Sequence, residues 1–193
     1  MLGKGKSGYS YLASWNERPV VFKRMHNEPC PYYQFTGNKV EAEVQAYQRL
    51  QAIGIPLPEL LDFNPEQQYL IKTYCEGLSG AEWLANGGQD EDIIQQLFLM
   101  AQKLRIHNLN IDYFPANFVI NLKKIYYIDY EVNPYQDKWS LEQWGIYYWA
   151  NREGMAEYHN SGNWQGINQR AGSGMPIKAP FEKQVEKWKA KYK

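Results

Sequence analysis

Two carboxylates and a carboxamide hold the chemistry most open to inspection. Asp112 and Asn117 stand five positions apart around Pro115, and Asp129 follows twelve positions after Asn117. Between Asn117 and Asp129 lie two strand-like apolar runs, Phe118-Val119-Ile120 and Ile125 to Ile128, separated by Asn121-Leu122-Lys123-Lys124. Apolar runs around a short polar connection predict a β-hairpin. A hairpin draws the residues at its open end together, so Asp112, Asn117 and Asp129 are expected to converge. Convergent Asp and Asn oxygens suit Mg²⁺, a hard cation that takes oxygen ligands and keeps several waters. The plainer alternative is a hairpin whose turn residues happen to be acidic.

A second group lies near the amino terminus. Gly3, Gly5 and Gly8 fit G-x-G-x-x-G and run into a strand-like Tyr9 to Ala13. Glycines let a loop fold tightly and turn N–H groups toward phosphate oxygens. A dinucleotide fold needs a strand before such a loop and a helix after it. Here only Met1 and Leu2 precede it, and a strand follows. Arg18 to Met25 is the next predicted strand. Period-two alternation puts Val21 and Lys23 on one face and Val20, Phe22 and Arg24 on the other.

These residues need elements to position them. Residues 38–53 predict a helix with Val40, Val44, Tyr47 and Leu50 as its apolar stripe, stopped by Gly54, Pro56 and Pro58. Glu43 falls on that apolar side, where a carboxylate needs a partner because an unpaired buried charge is costly. Glu41 is the competitor if the register slips by two. Strands are expected over 55–61 and 69–74, joined by 62–68. Ser79-x-x-Glu82 is a capping box opening a short helix that ends at Gly87-Gly88. Asp90 to Asn108 predicts a longer helix with Ile93, Leu97, Met100 and Leu104 inward. Residues 151–179, rich in Gly, Asn, Gln and Ser, are expected to form loop. Residues 181–192 predict a docked helix with Phe181, Val185, Trp188 and Tyr192 on one face.

Composition narrows the classes. A chain of 193 residues fits one domain or two small lobes. Lys+Arg and Asp+Glu are 21 each, so no global charge argues for nucleic acid. Cys30 and Cys75 are the only cysteines and make no framework, which fits reduced thiols in a cytoplasmic protein. His26, His107 and His159 are scattered and give no zinc spacing. No apolar run approaches the ~18 residues of a membrane span, and the polar, Gly-rich start is unlike a signal peptide. Neither nucleic acid nor membrane is expected as a partner.

Taken in order, these parts resemble the protein-kinase-like superfamily. That family writes its catalytic loop H-R-D-x-x-x-x-N and its metal segment D-F-G after a short hairpin. Here the loop runs Asn110-Ile111-Asp112 to Asn117, the metal segment is Asp129-Tyr130-Glu131, and Val20-Val21-Phe22-Lys23 resembles V-A-I-K. The phrases N-I-D-Y-F-P-x-N-F-V and Y-Y-I-D-Y-E are most similar to small bacterial Ser/Thr-kinase-like proteins, an atypical branch related to Rio-type kinases and aminoglycoside and choline phosphotransferases. The resemblance implies an α+β, two-lobed kinase-like fold. An antiparallel-sheet lobe would take residues 1–74, with a truncated first strand, and a mainly helical lobe residues 75–193. Only seven residues separate Asp129 from Asp137, so no activation loop is expected.

The same resemblance implies ATP and Mg²⁺ as cofactors. Lys23, placed by Glu43, would hold the α- and β-phosphates under the backbone of Gly3, Gly5 and Gly8. Thr73, Tyr74 and Cys75 would offer backbone groups to the adenine edge, with Lys72 at the gatekeeper place. Asn117 and Asp129 would hold Mg²⁺, Asp112 would take the hydroxyl proton, and Asp137 would bond N–H groups of the catalytic loop. The chain departs from the pattern at Ser10, where Val is usual, at Asn110-Ile111 for His-Arg, and at Glu131 for Gly. The implied activity is ATP-dependent phosphorylation of a protein hydroxyl. A small-molecule kinase shares the missing activation loop, and a nucleotide-binding pseudokinase scaffold accounts for the departures.

Overall fold

In the strand Arg18–Met25, one face is buried from Val21 to Met25, and the other passes from buried Val20 through half-buried Phe22 to the surface. Val21, Lys23 and Met25 are buried on one face, while Arg24 is exposed on the other. The computed structural model describes residues 1–29 and 37–192, which leaves Cys30 outside the described residues. The fold is α+β, and the chain divides into two compact units, Met1–Cys75 and Glu76–Lys193.

Among the described residues, the first unit is a five-stranded antiparallel sheet with one helix. Its strands are β1 (Gly3–Lys4), β2 (Gly8–Trp15), β3 (Arg18–Met25), β4 (Leu60–Asn64) and β5 (Tyr69–Thr73), in the order β1-β2-β3-β5-β4. Helix α1 (Lys39–Ala52) starts at Asn38, whose side chain accepts from the N–H groups of Val40 and Glu41. It buries Val40, Glu43, Val44, Tyr47 and Leu50, and Glu41 is exposed. The chain then turns at Gly54, whose φ of 72° suits a residue without a Cβ. Strand β4 begins at Leu60, later than the expected 55–61. Pro56 and Pro58 have no N–H to give a ladder, so pairing starts only beyond them.

The second unit is mainly helical. A three-stranded sheet in the order β6-β8-β9 combines β6 (Leu78–Ser79) with the hairpin β8 (Phe118–Asn121) and β9 (Lys124–Tyr127). Leu122 and Lys123 make the hairpin turn, both at positive φ. A smaller pair joins β7 (Leu109–Asn110) to β10 (Asn133–Pro134). The helices are α2 (Gly80–Ala85), α3 (Glu91–Ile106), α4 (Ile146–Ala150), α5 (Arg152–Ser161) and α6 (Glu182–Tyr192). Ser79 caps α2 by accepting from Glu82 N at 3.1 Å. Leu97, Leu104, Phe118, Tyr127, Leu141, Ile146, Trp149, Met155 and Val185 are all buried.

Helix α5 corrects the expectation of loop across 151–179. Its stripe is too short to read, because among its side chains only Met155 supplies a buried apolar anchor. Its ends do the work instead. Asn151 accepts from Gly154 N at the start, and Gly162 takes the left-handed conformation at the stop. No helix among the described residues is long and apolar enough to cross a membrane.

Candidate functional site

In the first unit, Lys23 on β3 and Glu43 on α1 meet as a buried pair. Lys23 Nζ donates to Glu43 Oε1 at 2.5 Å, with the residues 7% and 8% exposed. Period two turned Lys23 inward and helical spacing turned Glu43 inward, so each desolvated charge meets the other. Ser7 Oγ donates to the same Oε1 at 2.8 Å. Glu43 Oε2 is buried and has no hydrogen-bond partner among the described residues. Ser7 lies between Gly5 and Gly8, so this bond ties the glycine loop to the ion pair.

The loop itself is a narrow hairpin. Gly5 N donates to Gly8 O at 2.9 Å, and Leu2 N donates to Ser10 O at 2.8 Å. A Cβ at Gly8 would stand 2.6 Å from Arg24 O, so only glycine fits beside β3. At Gly3 nothing among the described residues lies within 4 Å of the corresponding point. His26 fastens the loop from below, with its N–H on Ser7 O at 3.1 Å and Nε2 3.1 Å from Gly5 O.

The end of β5 is the other feature of this face. Lys72 pairs across from Val21, while Leu70 pairs across from Lys23. Cross-strand partners share a face, so Lys72 stands on the same face as Lys23, and it is only 6% exposed. The backbone that follows is partly committed to the sheet. Thr73 N donates to Glu59 O at 2.9 Å and Tyr74 N donates to Pro19 O at 3.3 Å. Antiparallel pairing thus runs past β5 and uses the N–H groups of Thr73 and Tyr74. The Cys75 N–H has no hydrogen-bond partner among the described residues. Burial pushes the Cys75 thiol up, with the charge of Lys72 working the other way.

In the second unit, a turn and a hairpin organise the acids. Asp112 Oδ1 accepts from Phe114 N at 2.9 Å, an Asx turn that precedes the 3₁₀ turn Pro115–Asn117. Ile128 N donates to Asn117 O at 2.9 Å, closing the open end of the β8–β9 hairpin. Asn117 Nδ2 lies 3.4 Å from Asp112 O, which turns the amide oxygen Oδ1 the other way. Tyr127 is wholly buried beneath, and its hydroxyl donates to Glu131 O at 3.1 Å. Burial first, then the charges of Asp129, Asp112 and Glu131, push that hydroxyl well above its ordinary value.

Two further contacts support this loop. Arg105 on α3 pairs with Glu142, which is 3% exposed in the π-helical turn Leu141–Gly145. A Cβ at Gly145 would stand 2.3 Å from Tyr113 Cβ, so the turn packs directly on the residue after Asp112. Trp149 Nε1 donates to Tyr113 O at 2.9 Å. Asp137 does not fill the expected place under the loop. It is exposed and accepts from Tyr135 OH at 3.1 Å, while Asn110 Nδ2 reaches Gln136 O at 3.0 Å. The short link to β10 keeps Asp137 at the surface, and Glu142 is the acid that is buried.

Among the described residues no cluster of three or more His, Cys, Asp or Glu side chains forms a ready-made metal cage. Asn117 and Asp129 carry oxygen donors of the kind Mg²⁺ takes, and that ion needs only one or two protein oxygens when phosphates and waters complete its shell. Ser7, Arg105, Glu142 and Tyr127 carry no sequence signal of these contacts, and Tyr127 is legible only as a member of the strand-like run Ile125 to Ile128. No protein-family model matches the chain, and no curated protein matches it.

Proposed function

We propose that this protein is a Mg²⁺-dependent phosphotransferase of the protein-kinase-like type. It moves the γ-phosphate of a nucleoside triphosphate, with ATP the expected donor, to a hydroxyl. On this reading the units Met1–Cys75 and Glu76–Lys193 are the two lobes of such a fold. The observation that carries the reading is the buried Lys23–Glu43 pair, fastened through Ser7 to a glycine hairpin. An ammonium held out of water by a carboxylate is fixed in position, as phosphate binding requires, and the adjacent glycine backbone supplies N–H groups for the same anion.

Catalysis follows from positioning and charge. Lys23 holds the α- and β-phosphates, and Glu43 sets its direction. Gly3, Gly5 and Gly8 let the loop backbone approach the phosphates. Asn117 and Asp129 would hold Mg²⁺, which when bound neutralises charge developing on the phosphate oxygens. Asp112, locked by its Asx turn, orients the acceptor hydroxyl and takes its proton at a carboxylate oxygen. The rate gain comes from holding these groups rather than from covalent chemistry by the protein. Asp112 and the short second unit suit a protein hydroxyl as acceptor.

Thermal unfolding with and without Mg·ATP, on wild type and Asp129→Asn, tests the reading. A ligand that binds only the folded state raises apparent stability by mass action. A shift in wild type that Asp129→Asn loses supports a metal-nucleotide there. No shift at millimolar Mg·ATP overturns the reading and leaves a scaffold. Asp112→Asn is expected to keep the shift and to lose phosphoryl transfer to a hydroxyl by at least about a hundredfold.

A further inference from the structure

We propose that a groove within the unit Glu76–Lys193 binds a small aromatic carboxylic acid. The groove holds about 370 Å³ and is walled by Trp83 and Leu84 of α2, Ile94 of α3, Trp149 of α4, Arg152 of α5 and Trp188 of α6. That volume lies within the range of small-molecule sites. Asp112, Asn117 and Asp129 take no part in its lining, so the inference stands apart from the phosphotransferase reading.

The walls suit a flat apolar body. Leu84 and Ile94 are buried, and the Trp83 and Trp149 rings lie 6.5 Å apart at 53°. Two tilted indoles make a corner against which an aromatic ring packs by offset or edge contact. Gly88 fixes one of them, since a Cβ there would stand 2.2 Å from Trp83 Cδ2. The third indole brings a donor still to be satisfied. Trp188 Nε1 is buried and has no hydrogen-bond partner among the described residues. A buried donor left unmatched is costly, and a ligand oxygen relieves that cost. Among the described residues of α6 only Val185 is buried, so this wall can shift to admit one.

The charge at the groove selects an acid. Arg152 is exposed at the start of α5 and forms no ion pair with a described carboxylate. Its guanidinium lies against the neutral side-chain amide of Gln89, whose oxygen accepts from it. Glu91 also lines the groove, but its Oε2 is taken by Lys191 Nζ and Tyr192 OH. Gln184 is neutral. One uncompensated guanidinium therefore remains, and its planar fork matches a carboxylate.

Isothermal titration of the full chain with naphthylacetate, naphthylacetamide and naphthylethylamine tests this, because the three share a ring system and differ in head group. Wild type is expected to bind the acid at least about fivefold more tightly than the amide, as a charged hydrogen bond in a partly solvated site gives, and the amine least. Arg152→Gln is expected to bring acid and amide to equal affinity. NMR of the indole N–H groups locates the site: Trp83 and Trp188 are expected to shift with the acid, and Trp15 of the other unit to stay. No saturable binding of the acid at millimolar concentration overturns the inference, and so does an amide that binds as tightly as the acid. Shifts that leave Trp83 and Trp188 in place put the acid elsewhere and overturn the groove. A preference for the acid that persists in Arg152→Gln overturns the part given to Arg152. The head-group comparison and the NMR need only wild type, so a variant that fails to fold does not spoil them. No nucleotide enters these measurements, so their failure leaves the phosphotransferase reading standing.

Discussion

Glu43 shows what a single side chain must do to sit inside this molecule. Its Oε1 takes both Lys23 and Ser7, and its Oε2 takes no hydrogen bond from the described residues. Removing Lys23 leaves a buried carboxylate without its counter-charge, an error that costs about 3–5 kcal/mol in comparable sites. Lys23→Met is therefore expected to lose stability on that scale in urea unfolding, and Lys23→Met with Glu43→Gln to regain most of it. If the double variant is no more stable than the single one, the pair is not the source of the loss. Ser7→Ala removes a neutral donor to a charged acceptor and is expected to cost about 1–3 kcal/mol. Cys75 gives a second measurement at this scale. Burial raises its thiol pKa, so less thiolate exists at any given pH. Peptide mapping after alkylation at pH 8 is expected to show Cys75 reacting more slowly than free cysteine, with the rate climbing as pH rises above the free-thiol value of about 8.5.

The elements explain why part of this was legible in the sequence. Alternation in Arg18–Met25 and helical spacing in Lys39–Ala52 place Lys23 and Glu43 inward without knowledge of the tertiary fold, and the two residues meet. The β8–β9 hairpin was readable from its apolar runs in the same way. Helix α5 was not, because its one buried apolar side chain leaves no stripe and its boundaries rest on Asn151 and Gly162. Nor was the π-helical turn at Leu141–Gly145, whose widened geometry depends on what it packs against. That turn is held by Arg105 on Glu142 and presses Gly145 onto Tyr113. Gly145→Ala places a methyl 2.3 Å from Tyr113 Cβ, so the turn or the Asp112 loop must move. The expected result is a stability loss of about 1–3 kcal/mol. If the proposed phosphotransferase function holds, phosphoryl transfer is expected to fall more than nucleotide affinity, because Asp112 is displaced while β3 and β5 lie outside the turn. An equal fall in both would assign Gly145 a purely structural part.

At the scale of the whole molecule, buried tyrosines shape the response to alkali. Tyr113, Tyr127 and Tyr148 are each about 1% exposed or less, and all three belong to the unit Glu76–Lys193. Burial is the first cause that pushes each hydroxyl up, and nearby carboxylates add to it. The sign follows from proton counts. Above about pH 10 an unfolded chain loses these three protons while the folded chain keeps them. Folding then binds more protons than unfolding, and stability falls as pH rises. Each such tyrosine contributes a slope of about 1.4 kcal/mol per pH unit above its unfolded pKa. A titration from pH 8 to pH 12 (read by tyrosinate absorbance and circular dichroism together) is expected to show exposed tyrosines ionising gradually and the buried ones in one cooperative step with loss of structure. Full ionisation before any loss of structure would contradict the burial. Tyr127→Phe removes one of the three slopes along with the bond to Glu131 O, so its alkaline transition is expected to be shallower in stability against pH, even if its stability near neutral pH is lower.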